Sequence, residues 1–307
     1  MSNNGEGGGD LLGIELSSAS IIALSVARGG AVNSQFKAER FTGEDPPARI
    51  ANFVAEAKER LGSSGPVGIA VPGLIDRTSG HIEFSANIPE HTSLNIKEAV
   101  RAATGVDAVI ENDANAAAYA EFILGAGRGS SSLFYATIGD GVGGAFILDG
   151  KLWHGAAGYA GEFGYVAIDP EGLRLQDMAS TANIVRRTRE RFNRDSTSSL
   201  GRLPEEKIGI AEIVAAADEG DEFARLMLER TGSYVGTAIA NVINLLNVEC
   251  IVIGGEITKA GDIVIDAISA RARELAFSRA FDKTIIRSGE LGENAAAIGA
   301  ALIAGNN

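Results

Sequence analysis

Short apolar runs separated by glycine- and serine-marked turns open this chain. Residues 11–16, 21–27 and 31–38 read as three consecutive strands. A helical spacing follows over 47–61, with proline near its first turn and Gly62 as its stop. A buried strand is expected at 67–71, a loop at Pro72 and Gly73, and a short helix over 96–103. The strand 108–110 then runs straight into an alanine-rich helix over 114–124. A second half opens at Ser132 in a similar order. It has a hairpin of 133–138 and 144–148, helices from about 177 to 246, and strands at 250–253 and 284–286, each followed by a helix. Both halves start with a glycine-turned hairpin and later alternate strand and helix, which predicts duplication of one α/β unit with a cleft between two lobes. The glycine-rich stretch 124–132 reads as the crossing, and 196–206, rich in serine and charge, as a mobile surface loop.

Composition narrows the class. Hydrophobic residues make up 45% of the 307 positions, enough for two ordinary cores. No apolar run approaches the roughly 18–20 residues of a membrane span, so no membrane partner is expected. Residues 1–10 are rich in glycine and asparagine and lack a basic flank and apolar core, so they read as a disordered leader rather than a signal peptide. The single cysteine, Cys250, excludes a disulfide within one chain, which predicts a reducing, cytoplasmic setting. A net charge of −13 argues against a nucleic-acid surface.

Three glycine- or polar-marked strand ends carry the candidate chemistry. In 109–118 a short apolar run ends in Glu111-Asn112-Asp113 before the alanine-rich helix. A strand delivering Asn112 and Asp113 to the carboxyl rim of a sheet places them where ligands bind in open α/β folds. There a carboxamide and a carboxylate can orient a sugar hydroxyl and take its proton; either residue can equally be a helix cap. Gly139-Asp140-Gly141-Val142-Gly143-Gly144 contains the G-x-G-x-x-G spacing. A dinucleotide turn, however, needs a helix after it, and Ala145 to Leu148 continue as a strand. The segment reads instead as a hairpin whose glycines let backbone N–H groups converge on an anion. Ile251-Val252-Ile253-Gly254-Gly255 is a buried strand meeting a glycine pair, where backbone can approach a flat ligand. There is no G-x-x-x-x-G-K-[ST] phosphate loop.

Taken together, these segments resemble the ROK family of repressors, open reading frames and sugar kinases. Six motifs occur in the family's order: Gly68 to Asp76, Ala86-Asn87-Ile88-Pro89, Glu111 to Ala117, Thr137 to Gly144, Ala160-Gly161-Glu162-Phe163-Gly164 and Ile253-Gly254-Gly255. The resemblance implies an α/β, two-lobed actin-like ATPase fold, related to ribonuclease H, with an interlobe cleft. It implies an N-terminal lobe of 11–122 plus 294–307 and a C-terminal lobe of 123–293. It further implies a glucokinase-like phosphotransferase using ATP and Mg²⁺ on a hexose such as glucose or an N-acetylhexosamine, active as a homodimer. By that likeness Asp113 is the general base, and Asn87, Asn112, Glu162 and Gln176 hold the sugar. Glu15, Ser17 and Ser18, with Gly139, Asp140, Gly141, Gly143, Gly254 and Gly255, face the nucleotide, Glu15 reaching Mg²⁺.

Departures from the family pattern open a second expectation. The first phosphate loop usually reads Asp-x-Gly-Gly-Thr-Lys, and this chain has Glu15-Leu16-Ser17-Ser18-Ala19-Ser20. Asp140 stands where a threonine is usual. Tyr165 occupies the zinc-binding histidine position and no cysteine cluster follows, so no zinc is expected. Ten residues before the first strand are too few for the helix-turn-helix of the family's repressors. The alternative is a sugar-binding or sensing protein with weak or no catalysis and no DNA-binding domain.

Overall fold

The computed structural model describes residues 9–39, 45–86, 88–192 and 197–306. Most of the leader expected over 1–10 lies outside the described residues, and so does Asn87. Contacts divide the chain into two compact units. One comprises the chain up to Leu124 with His154–Tyr159 and Glu293–Asn307; the other comprises Gly125–Trp153 and Ala160–Gly292.

The first unit is built on strands β1 (Leu11–Leu16), β2 (Ser20–Val26), β3 (Val32–Glu39), β4 (Val67–Val71) and β7 (Ala108–Asn112), in the spatial order β3-β2-β1-β4-β7. The first three are antiparallel neighbours, whereas β4 lies parallel to β1 and β7 parallel to β4. The parallel strands are almost continuously apolar, as strands covered on both faces must be. Helices α1 (Pro46–Leu61) and α2 (Ile96–Thr104) supply side chains such as Phe53, Val54 and Val100 to the core on β1 and β4. Helix α1 begins with a proline pair and ends at Gly62 in the left-handed region, as the sequence predicts. A small hairpin, β5 (Leu74–Asp76) and β6 (His81–Phe84), follows β4.

Helices α3 (Asp113–Ile123) and α10 (Ala295–Gly305) complete this unit. Every residue of α10 from Ala295 to Ala304 is buried, because it lies on strands that offer it glycine. Gly13 and Gly68 face each other in the β1–β4 register. A Cβ on either would overlap the backbone carbonyl of Ala297 or Ala300. Gly299 meets the Ala116 carbonyl of α3 in the same way.

The second unit repeats the arrangement. Its sheet, β10 (Lys151–Trp153), β9 (Val142–Leu148), β8 (Leu133–Ile138), β11 (Cys250–Gly254) and β12 (Ile285–Ser288), has the order β10-β9-β8-β11-β12. It carries the same antiparallel trio followed by two parallel strands. Its helices are α4 (Gln176–Ala179), α5 (Thr181–Phe192), α6 (Ile210–Asp218), α7 (Glu222–Leu246), α8 (Asp262–Leu275) and α9 (Ser278–Phe281). The surface loop expected to be mobile over 196–206 is, in its described part, anchored. Both Ser198 and Ser199 donate to Asp221, the cap of α7, and Leu200 is buried. Among the described residues no helix is long and apolar enough to cross a membrane.

Candidate active site

The carboxyl ends of β1, β4 and β7 form one rim of the first unit, and three of the predicted residues stand on it. Glu15 is the penultimate residue of β1, Asn112 ends β7 and Asp113 opens α3. Asn112 is the helix cap: its Oδ1 accepts from the Asn115 amide at 3.0 Å. Its Nδ2 donates to the Gly73 carbonyl at 3.1 Å. A carboxamide offers two donors and two acceptor lone pairs, so half of its capacity remains for a ligand. Asp113 therefore does not cap α3. It is half-buried on the first turn, with Oδ1 accepting from the Ala114 amide at 2.9 Å.

Glu15 Oε2 is sealed from solvent and has no hydrogen-bond partner among the described residues. Burial first, and then the charges of Asp113 and Glu293, push its carboxyl up to about 8, against a weaker opposing pull from Lys37. Two carboxylate residues on one rim, one of them with an orphaned oxygen, suit a hard divalent cation, which takes oxygen ligands. The same shift sets a stability prediction. Between the unfolded value of 4.5 and the folded value near 8, the folded chain holds a proton that the unfolded chain has lost. Stability from this group is therefore present at low pH and lost as pH rises through that window. In magnesium-free buffer Glu15→Gln is expected to match wild type in chemical denaturation at pH 4.5 and to exceed it above pH 8. Equal stabilities at both ends mean that Glu15 is solvated.

Ser17 serves the β1–β2 turn. Its hydroxyl donates to the Ser20 carbonyl at 2.9 Å and accepts from the Ser20 amide at 3.0 Å. Ser18 lies beside it, half-buried.

In the second unit the two glycine turns meet. The β8–β9 turn is closed by Gly139 N–H donating to the Gly141 carbonyl at 2.9 Å, with Asp140 exposed at its tip and Gly143 half-buried in β9. Gly254 ends β11 beside Thr137. A Cβ on Gly254 would overlap the Tyr135 hydroxyl, and one on Gly255 would meet the Ile138 backbone, so packing alone requires both glycines. Thr181, the first residue of α5, ties the two turns together. Its amide donates to the Gly139 carbonyl at 2.8 Å and its hydroxyl to Glu256 at 3.3 Å. Gln176 lies near Gly164, two residues beyond Glu162: a Cβ on Gly164 would crowd the Gln176 side chain. Desolvation raises the Glu162 carboxyl although part of the side chain reaches the surface.

Sequence reading did not single out Arg77, Glu111 and His154 as a group. Glu111 is buried, with 1% of its surface exposed. Its Oε2 accepts from Arg77 Nε at 2.8 Å and His154 Nε2 at 3.0 Å. Its Oε1 accepts from the Asn112 amide and from Asn115 Nδ2, both at 3.0 Å. Burial works to raise this carboxyl, but His154, Arg77 and Asn115 outweigh it and hold it below the ordinary carboxylate value. The local signal was a glutamate following the apolar run of β7, one residue before the strand ends at Asn112.

Residues 25–307 match the ROK family model. The chain is a member of the ROK family. A glucokinase from Halalkalibacterium halodurans is 34% identical over 76% of this chain and 74% of its own. The crystal structure of a ROK family glucokinase from Streptomyces griseus, in complex with glucose and AMPPNP, superposes with a TM-score of 0.87 and 29% identity, covering 97% of this chain and 100% of that one. The DNA-binding transcriptional repressor Mlc of Escherichia coli is 28% identical over 83% of this chain and 64% of its own length. This ROK protein thus has the actin-like ATPase fold of the family's sugar kinases, and its relatives include both kinases and repressors.

Proposed function

We propose that this ROK protein is an ATP-dependent sugar kinase acting on a hexose such as glucose or an N-acetylhexosamine. The observation that carries the reading is the placement of Asp113: it opens α3 on the strand-end rim while Asn112 caps that helix, and it lies close enough to Glu15 for its charge to raise the Glu15 carboxyl. The glucokinase relatives support the same reaction class. Asp113 takes the proton of the acceptor hydroxyl as that oxygen attacks the terminal phosphorus of ATP, the bond to the β-phosphate oxygen breaks, and ADP leaves. Asn112, Glu162 and Gln176 are proposed to hold sugar hydroxyls, and Asn87 by the motif alone. The turn Gly139 to Gly143 offers backbone amides to the phosphates, and Gly254 and Gly255 are proposed to lie against the nucleoside. Mg²⁺, when bound, neutralises the charge of the transferring phosphoryl group; Glu15 is the residue that would hold it, through water.

A panel of sugars with ATP and Mg²⁺, read for ADP release and separately for thermal shift, tests the proposal. ADP release with at least one hexose is expected. Thermal shift without ADP release would favour the second reading, a sugar-binding protein with lost catalysis. That reading has one specific support: the Ser17 hydroxyl, replacing a family glycine, is spent on its own turn. A homodimer belongs to the same proposal, and a single-chain mass by light scattering would remove it.

The donor site yields its own prediction. Asp140 is exposed at the tip of the β8–β9 turn, and under this proposal its negative charge lies near the bound phosphates. Two unit charges about 4 Å apart interact by about 4 kcal/mol at an effective dielectric of about 20, and solvent leaves only part of that at an exposed site. Asp140→Thr is expected to tighten Mg·ATP binding by about tenfold, equal to about 1.4 kcal/mol, in calorimetry. Unchanged affinity would mean that Asp140 points away from the phosphates.

A further inference from the structure

The hydrogen bonds of Glu111 reach three stretches of chain, each of which carries or adjoins a motif of the proposed acceptor site. Arg77 comes from the β5–β6 turn that follows the motif Gly68 to Asp76. The turn is fixed by Asp76, whose carboxylate accepts from the Thr78 and Ser79 amides and the Ser79 hydroxyl. Glu111 itself precedes Asn112 and Asp113 on β7. His154 follows β10 in the stretch that leads on to Ala160-Gly161-Glu162, and by its contacts it belongs to the first unit. One buried carboxylate therefore joins the turn before the base, the base's own turn and a distant loop.

The network also fixes the proton on His154. Arg77 Nη1 lies 3.4 Å from His154 Nδ1 and can only donate, so Nδ1 accepts and the proton sits on Nε2, directed at Glu111 Oε2. Oε2 thus receives two donors, one of them cationic, while Oε1 receives the Asn112 amide and the Asn115 side chain. Four donors fill the carboxylate, and a carboxamide cannot satisfy them all, because in either orientation its NH₂ would face two donors, Arg77 and His154 or the Asn112 amide and the Asn115 side chain.

We infer that Glu111, with Arg77 and His154, is a positioning device for the acceptor reaction: it fixes the turn that aims Asp113. The inference rests on the kinase reading for its kinetic consequence and on hydrogen bonding alone for its structural one. A displacement of the base by about 1 Å can cost about 100-fold in rate. Asn112 keeps its own bonds to Asn115 and Gly73 in a Glu111→Gln chain, so sugar contacts persist.

Three variants and one spectrum test it. Glu111→Gln is expected to lower kcat by about 100-fold while calorimetric sugar affinity stays within about threefold. His154→Gln, which can still donate to Glu111, is expected to stay within about threefold of the wild-type kcat, whereas His154→Leu falls at least about tenfold. A Glu111→Gln enzyme with kcat within about threefold of wild type, or equal rates for the two His154 variants, would overturn the inference. The ¹⁵N signals of the His154 ring give a readout that needs no turnover. The Nε2-protonated tautomer is expected in the wild-type chain; its absence from the wild type overturns the arrangement. If no sugar is phosphorylated but that tautomer is present, the kinase reading fails and the Glu111 network stands.

Discussion

Asp113→Asn is expected to reduce sugar phosphorylation by about 10²- to 10⁴-fold, the range a positioned general base contributes. Sugar affinity should remain close to wild type. The amide keeps the size of the carboxylate and can still accept from the Ala114 amide, the bond that Oδ1 makes now. It cannot take the hydroxyl proton. Stability distinguishes this from a structural effect, because the cap of α3 is Asn112. Losing a first-turn negative charge costs about 0.3–1 kcal/mol through the helix dipole, whereas Asn112→Ala removes the cap itself and should cost about 0.5–2 kcal/mol. Steady-state kinetics, calorimetry and chemical denaturation on both variants therefore separate the two roles. Near-full turnover by Asp113→Asn would remove Asp113 as the base, and with it the central support for the kinase mechanism.

The strand-end motifs were legible in the sequence because each obeys a local rule. An apolar run closing in Glu-Asn-Asp before an alanine-rich stretch announces a strand feeding a helix, and β7 does feed α3. The structure moves the boundary by a residue or two: the strand extends to Asn112 and the helix begins at Asp113. That shift assigns the cap to Asn112, which the pattern alone left open between two residues. The glycine hairpin was legible for the same reason. An apolar run, Ala145 to Leu148, follows the glycines, and β9 pairs with β8 from Ile138 and Val142 onward, which excludes the dinucleotide turn that the glycine spacing imitates.

What escaped the sequence was short or non-local. Strand β5 has three residues and β6 four, too few for a period-two pattern, yet their turn delivers Arg77. The Glu111–His154 bond joins residues 43 apart, and no spacing rule reaches that far. The repeated strand order of the two sheets shows why a faint repetition was visible. Each sheet needs a hairpin-joined antiparallel trio and two parallel strands reached by helical crossovers, so the order of elements recurs even where the residues differ. The glycines of β1 and β4 were also unremarkable in sequence, since a glycine inside a strand gives no hint of what approaches it.

Those glycines set the largest expected effect on stability. Gly68→Val is expected to destabilise the chain by about 3 kcal/mol or more, the upper range for overpacking a core, and to lower the thermal midpoint by about 10 °C. The new side chain would overlap the Ala300 carbonyl and its neighbouring backbone atoms. A side chain in the way could change rotamer; the backbone of a fully buried helix has no such freedom. Helix α10 cannot retreat cheaply either, because Gly299 holds its other side against the Ala116 carbonyl of α3. Gly13 and Gly68 are register partners under the same helix, so Gly13→Ala and Gly68→Ala should combine with less than the sum of their separate costs: once α10 has lifted for one methyl group, the second finds room. Gly29→Ala is the control, since its Cβ would meet nothing within 4 Å, and it should leave the midpoint unchanged. Because α3 carries Asp113 on its first turn and packs against α10, Gly68→Val should also lose kinase activity at temperatures below its new midpoint. Wild-type stability in Gly68→Val would show that α10 is not seated on β4 through that glycine.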